Sequence, residues 1–314
     1  MSLAIVIIKS MGIGDLCILL SNIHTISEKI NRPVTVLAQK NTHAYAILKN
    51  DPHVSEVIEL DNDEIKGFFN IVKKIKPKKF DQSYIYSDSI RFYLISKMAG
   101  IKENFQYRLF SKEGKNFFKT AKEFTEKVFK TKIDSQSKIF VDKREIEKAK
   151  IKYNIDNINK NIVCGITASG PTKRWDINNY IKLFETINSK FKCKFFIAGG
   201  KNDEELIKKI MDSNIGKKCI SFSNMTIDET IPIIGACQYY IGNDTGFGHI
   251  SSGLGLKSLF LFMDSPPLAY GIYSKNIIIV VPDGESIESC SHNTRGKDRI
   301  SYNKVLDKAL EIIS

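Results

Sequence analysis

"YYIGNDTGFGHISSGLGLKSLFLF", residues 239–262, sets two apolar runs on either side of a polar corner and a small-residue stretch. The first run, 239–242, has the aromatic and β-branched content of a buried strand. Asn243-Asp244-Thr245-Gly246 then interrupts it with residue types that turn chains and cap helices. Asp244 or Thr245 is placed to cap a short helix starting near Gly246, Gly253 and Gly255 to end it, and 258–262 to return as a strand. Strand, corner, helix and strand form one unit of an α/β sheet, and the corner falls where open α/β sheets bind ligands.

The same rhythm runs through the rest of the chain. Apolar runs at 3–8, 33–38, 54–60 and 80–86 read as strands, separated by helical patterns at 15–30, 42–50 and 64–76. A second series restarts at 162–167, with strands at 193–200 and 239–242 and helices at 178–191, 203–213 and 226–237. Between the series, the Asn- and Lys-rich stretch 148–161 has the composition of a linker. The expected organisation is therefore two α/β domains, residues 1–157 and 158–314, with parallel sheets whose carboxyl ends face a central cleft.

Composition narrows the class. With 42% hydrophobic and 26% charged residues, the 314-residue chain reads as globular. No apolar run approaches the roughly 20 residues that span a bilayer, and the N-terminus lacks a signal-peptide pattern, which predicts a cytoplasmic protein. The six cysteines contain no CxxC pair and sit mostly in apolar runs, so free buried thiols are expected rather than disulfides or zinc. Residues 61–160 carry 24 Lys and Arg against 14 Asp and Glu, which is +10 of the chain's +12. That half is expected either to be an ordinary lysine-rich surface or to meet an anionic partner such as a membrane surface. No nucleic-acid-binding motif accompanies it. The segment 114–130 has an apolar stripe of Phe117, Ala121, Phe124 and Val128, expected to pack on its own domain or, in a sharper reading, to lie on an anionic membrane.

Three corners hold candidate chemistry. In "KSMGIGDL" (9–16), Gly12 and Gly14 permit a tight turn and Asp15 opens a helix, as a dipole partner or a base. Cys17 stands where the dinucleotide fingerprint needs its third glycine, and the second strand ends without the expected acid, so a nicotinamide cofactor is disfavoured. In "GITASGPTKRWDINNY" (165–180), Thr167 and Ser169 hydroxyls, a Gly-Pro turn and Lys173 suit a phosphate group. Asp176 is a candidate cap there, and Trp175 is expected to pack the corner against the sheet. In the quoted corner, Gly246 and Gly248 leave backbone open for a diphosphate at the helix N-terminus, and His249 is either structural or a donor to that anion.

"GIGDL" (12–16), "TASGPTKRWDINNY" (167–180), "IAGGKNDEEL" (197–206) and "NDTGFGHISSGLGLKSLFLF" (243–262), taken in order, resemble glycosyltransferase family 9, the ADP-heptose:lipopolysaccharide heptosyltransferases. The resemblance runs nearly end to end. It implies a GT-B fold of two Rossmann-like domains, with the acceptor bound by the first and the nucleotide sugar by the second. It also implies an inverting, metal-independent transfer with no bound cofactor. By position, Asp15 matches the family's base. Ser169 and Lys173 match the donor-phosphate contacts, and Asp244, Thr245, Gly246 and His249 the donor loop. Met225 falls where the family flanks the adenine, and Gly12 and Gly14 belong to the acceptor loop. The implied partners are ADP-heptose and a lipopolysaccharide core or other anionic glycolipid, with the enzyme peripheral at the inner face of the inner membrane. Alternatives are another nucleotide sugar on a capsule or surface polysaccharide, or a non-catalytic nucleotide-binding module. Departures from the family pattern are Ala168, the turn "MDSPPLAYG" (263–271) and the lysine-rich first half.

Overall fold

A computed structural model describes residues 3–9, 12–107, 116–134 and 136–314. Ser10 and Met11 of the first corner, and Gly114 and Lys115 of the 114–130 segment, lie outside the described residues. The chain forms two compact units, 1–140 and 141–314.

The first unit runs β1 (Ala4–Ile8), α1 (Ile13–Ile30), β2 (Val34–Gln39), α2 (Ala44–Leu48), β3 (Val54–Leu60), α3 (Asn62–Lys66), α4 (Phe68–Ile75), β4 (Gln82–Tyr86), α5 (Ile90–Met98), β5 (Glu103–Gln106) and α6 (Phe117–Phe129). Its five parallel strands are ordered β3-β2-β1-β4-β5. Central β1 is buried along its whole length, the mark of a strand covered on both faces. On one face Ile5 and Ile7 pack with Ile71, Val72 and Ile75 of α4 and with Phe92 and Ile95 of α5.

On α6, Phe118, Ala121 and Thr125 are buried and the helix packs on α1. Phe124 meets the Tyr86 and Tyr107 rings edge-on at 5.3 and 5.2 Å. Ala121 and Phe124 of the apolar stripe of 114–130 thus pack inside their own unit, as the first reading of this helix expects, while Phe117 and Val128 are half-buried. Its one buried hydroxyl is satisfied: Thr125 donates to the Asn22 side-chain carbonyl at 2.9 Å and lies 2.6 Å from the Tyr86 hydroxyl. Elsewhere in the unit, His24 Nε2 sits 2.8 Å from Asp51 Oδ2, and the His53 ring stacks on His24 with centroids 4.6 Å apart. Burial, then the neighbouring His24, lowers the His53 pKa, against the opposing charge of Asp51.

The second unit runs α7 (Lys143–Tyr153), β6 (Lys160–Gly165), α8 (Ile177–Lys190), β7 (Cys193–Ala198), α9 (Glu204–Met211), β8 (Cys219–Ser221), α10 (Ile227–Gly235), β9 (Tyr239–Asn243), α11 (Gly246–Gly253), β10 (Lys257–Leu261), α12 (Pro267–Tyr270), β11 (Ile277–Val280) and α13 (Tyr302–Ile313). Its six parallel strands are ordered β11-β10-β9-β6-β7-β8. α7 corrects the linker expected at 148–161. Asp142 caps this helix, Lys148–Glu145 and Lys150–Glu147 pair along it at 2.8 Å, and it packs on α10. Residues 141–157 therefore belong with the second unit by contact, although their composition reads as a spacer. The helix expected over 64–76 is likewise divided at Gly67 into α3 and α4.

All six cysteines are unpaired and buried, as their spacing suggests. Among the described residues no helix is long and apolar enough to cross a membrane.

Candidate active site

Because every strand of the second unit runs the same way, its β-to-helix corners gather at one edge of the sheet. Four of them are laced together by side chains. Asn243, the last residue of β9, is fully buried. Its Oδ1 accepts the Tyr180 hydroxyl at 2.7 Å and the Trp175 N–H at 3.2 Å, while its Nδ2 donates to the Thr167 carbonyl at 3.2 Å. This one amide joins the 167–175 corner to the 243–246 corner. Trp175 packs inward as expected, and its Nε1 donates to the Ile300 carbonyl at 3.1 Å. Asp176 caps α8 by accepting the Asn178 N–H at 2.8 Å.

Thr245 is the cap of α11, its Oγ1 accepting the Gly248 N–H at 3.5 Å. The N–H groups of Gly246 and Phe247 have no hydrogen-bond partner among the described residues. They point out of the positive end of the helix, as the first-turn groups of any helix do. Gly248 serves packing instead of ligand approach: a Cβ there would come within 2.7 Å of Phe260 and 2.9 Å of Tyr240. The expectation that it opens backbone to an anion is corrected.

His249 is 3% exposed. Its Nε2 lies 3.0 Å from Asp244 Oδ1, and its Nδ1 lies 2.9 Å from the Tyr273 hydroxyl. A carboxylate only accepts, so Nε2 carries a proton, and Nδ1 can accept from Tyr273. Both ring nitrogens are spent inside the unit, and none remains to donate to a bound anion. The histidine orients Asp244. The other carboxylate oxygen, Oδ2, accepts the buried Ser265 hydroxyl at 2.8 Å. Burial alone would raise the Asp244 pKa, but the hydrogen bonds from His249 and Ser265 and the charge of Lys173 bring it below the usual carboxylate range.

Asp264, just after β10, repeats the device. Its Oδ2 accepts the Thr172 hydroxyl at 2.7 Å and its Oδ1 the Arg295 N–H at 2.9 Å. Its pKa is also lowered: these bonds and the Lys173 charge outweigh its desolvation. Lys173 is thus electrostatically coupled to both carboxylates, yet its ammonium makes no ion pair among the described residues. Arg174 is committed elsewhere, donating to the Ala168 carbonyl at 3.0 Å and lying 3.6 Å from Asp203. Ser169 is exposed. Met225 is half-buried, with its Sδ 3.9 Å from the Tyr153 hydroxyl and its N–H on the Phe222 carbonyl at 2.9 Å. Phe222 in turn meets Phe247 of α11, with ring centroids 6.0 Å apart.

Ser169, Lys173, Asp244, Thr245, Gly246 and His249 therefore share one edge of the second sheet. Asn243, Asp264, Ser265 and Tyr273 were missed. Only their nearness to strand ends hinted at them, because their partners lie far off in sequence.

Asp15 belongs to the first unit. Gly12 is the cap residue of α1 and makes no side-chain cap, so Asp15 stands in the first turn of an 18-residue helix. It is partly exposed at the carboxyl end of β1, and a Cβ on Gly12 would sit 3.8 Å from its Oδ2.

Two parallel-sheet α/β units of this kind are those of the GT-B fold class. The chain belongs to glycosyltransferase family 9 (heptosyltransferase), whose family model matches residues 68–300. Among solved structures it is similar to a glycosyltransferase family 9 protein from Veillonella parvula, with a TM-score of 0.81 and 17% identity over 99% of this chain and 97% of that one. It is similar to the E. coli ADP-heptose lps heptosyltransferase II, with a TM-score of 0.76 and 17% identity over 99% and 98% of the two chains. It is also similar to the E. coli heptosyltransferase WaaC with ADP, with a TM-score of 0.73 and 13% identity over 98% and 99%. Comparison with curated protein sequences gives no match.

Proposed function

We propose that the protein transfers a heptose from ADP-heptose to a hydroxyl of a lipopolysaccharide core or related anionic glycolipid, with inversion at the anomeric carbon. The observation that carries this reading is the pair of first-turn N–H groups of α11, Gly246 and Phe247, left without a partner among the described residues beyond the Thr245 cap, near Lys173, which makes no ion pair among those residues. Both are sources of positive potential that suit a departing diphosphate. That one solved relative is an ADP-heptose lps heptosyltransferase and another a heptosyltransferase with ADP supports the choice of nucleotide.

In this reading the acceptor oxygen forms its bond to the anomeric carbon as the bond from that carbon to the diphosphate oxygen breaks. Asp15 takes the proton that the acceptor hydroxyl loses. Lys173, the Ser169 hydroxyl and the N–H groups of Gly246 and Phe247 receive the negative charge that grows on the diphosphate. Asp244, held at both oxygens, presents a fixed carboxylate to the hydroxyls of the donor sugar. Met225 and Phe247 offer apolar surface to the base. Charge on the leaving group is met by protein cations and dipoles, and the reaction needs no metal ion.

A second nucleotide sugar acting on a capsule or other surface polysaccharide fits the same machinery. The turn 263–271, which departs from the family pattern and supplies Asp264 and Ser265, favours keeping that reading in the test.

Thermal-shift measurements with ADP, GDP and UDP decide between them. A ligand at 100 times its Kd stabilises by about 2.7 kcal/mol, which is readily seen. ADP is expected to stabilise most, and ADP-heptose to turn over on a core acceptor. A preference for UDP or GDP would replace the donor, and no shift with any of the three would remove the donor site.

A further inference from the structure

α5 is apolar on two opposite sides. Phe92, Ile95 and Ala99 face the sheet and are buried, whereas Ile90, Leu94 and Met98, spaced four apart, are 42%, 45% and 50% exposed. A surface helix normally turns polar residues outward. α4, packed alongside, presents Phe69 at 64% exposed, with Lys73 one turn further on the same side. Four of the large exposed apolar side chains of this protein thus lie on one helix pair.

The charge on the two helical segments themselves has one sign, although Asp88 and Glu103 flank the second. Residues 68–79 and 89–102 contain eight Lys or Arg and no Asp or Glu. Some are neutralised from outside these segments, Lys74 by Glu64 and Lys78 by Glu56. Lys73, Lys76 and Lys79 make no ion pair among the described residues, and Lys97 lies 5.7 Å from the Tyr93 ring.

From this juxtaposition we propose that the outer face of α4 and α5 docks on the surface of an anionic lipid bilayer. Ile90, Leu94, Met98 and Phe69 enter the headgroup region while Lys73 and Lys97 meet lipid phosphates. Apolar side chains alone fit any greasy partner, and lysines alone fit any anion. The two together, with no acid on either segment, fit a negatively charged membrane. The inference is independent of which sugar is transferred, so it survives or fails apart from the donor assignment.

The test is co-sedimentation of the full chain with phosphatidylglycerol–phosphatidylcholine vesicles and with phosphatidylcholine vesicles, at low and high salt. Binding is expected only to the anionic vesicles and is expected to weaken with salt. The double substitution L94E/M98E is expected to weaken it at least about tenfold. K73E/K97E is expected to weaken binding and flatten its salt dependence. The control I151E, at an 82% exposed apolar residue of α7, is expected to change nothing. Should L94E/M98E disturb folding, a second measurement stands in for it. Leu94→Cys carrying a polarity-sensitive dye is expected to shift to the blue on anionic vesicles, and labelling is selective because every native cysteine is buried. Failure to bind anionic vesicles at low salt, equal binding to neutral ones, or binding indifferent to L94E/M98E would overturn the proposal. So would a concentration-dependent dimer that L94E/M98E dissolves while vesicle binding persists, which would assign the face to a second copy.

Discussion

Asp244 and His249 face each other across the first turns of α11, carboxylate Oδ1 to imidazole Nε2 at 3.0 Å, and the Tyr273 hydroxyl holds the far side of the ring. The histidine of the motif is therefore a support for its aspartate. His249→Ala leaves Asp244 with one hydrogen bond instead of two and opens a cavity beside Tyr273. A lost hydrogen bond to a charged group is worth about 1.5–3 kcal/mol. The expected result, read by thermal unfolding and by calorimetric titration of donor, is lower stability together with donor affinity reduced by about tenfold or more. His249→Gln, which keeps a donor toward Asp244, is expected to restore part of both. A variant whose stability and donor affinity match the parent would remove the supporting role.

In the proposed reading Asp15 is the base, and the nucleotide is held by other residues. Asp15→Asn keeps size and removes the proton acceptor. Turnover is expected to fall at least about 10²-fold, with nucleoside diphosphate affinity unchanged. Steady-state rates and equilibrium binding on the same preparation separate the two. Near-parental turnover would eliminate this carboxylate from the chemistry.

Lys173 is proposed to serve binding and the transition state alike. Lys173→Ala is expected to weaken diphosphate binding and also to lower the rate by about 10²-fold, the usual cost of losing one preorganised charge donor. Excess EDTA is expected to leave the parental rate unchanged, because Lys173 and the α11 N–H groups carry the charge. A rate that collapses on chelation and returns with added magnesium would refute that division.

Asn243 tests how the corners are held. It is fully buried and bonds to Tyr180, Trp175 and Thr167. Asn243→Leu takes the partner from the Trp175 N–H and the Thr167 carbonyl and leaves the Tyr180 hydroxyl only the Gly165 carbonyl at 3.4 Å, at about 1–3 kcal/mol for each group left unsatisfied. A clear drop in unfolding midpoint is expected, and donor binding should weaken because Thr167 and Trp175 flank the Ser169–Lys173 loop. A midpoint equal to the parent's would contradict the lacing described above.

The stacked pair His24 and His53 predicts a pH dependence. The His53 pKa is lowered in the folded state, chiefly by burial and then by His24. Between that lowered value and the ordinary histidine value near 6.5, the unfolded chain binds more protons than the folded one. Stability is therefore expected to be highest above that range and to decline as pH falls through it. The decline should be modest, since the ring is only partly buried. Unfolding midpoints between pH 8 and 5 for the parent and His53→Gln check the sign, with the variant showing the shallower slope. A steeper slope in the variant would reverse the assignment.

Much of the architecture was legible in local pattern. Strand β3 coincides with the apolar run at 54–60, and α1, α8 and β7 fall within two residues of their expected bounds. Hydrophobic periodicity, capping residues and turn residues are short-range properties, and parallel strands with helices on both faces follow from their order. The corners at 12–16, 167–180 and 243–262 carried the family for the same reason: each is a contiguous run.

What the linear pattern left open is which polar groups meet. Trp175 and Asn243 are 68 residues apart, Thr172 and Asp264 are 92 apart, and both pairs form because β9 lies between β10 and β6 in the sheet. Strand order also decides that His249 spends both nitrogens on Asp244 and Tyr273, and that Gly248 is small to admit Tyr240 and Phe260. α7 escaped notice because its composition is that of a spacer, and it becomes a helix through its cap, its ion pairs and its seat on α10. Sequence alone determined the fold class and the location of the corners, since both depend on neighbours along the chain. The tertiary structure alone decided the partners, and with them the role of each side chain, since a hydrogen bond is made across space by whichever strand the sheet sets alongside.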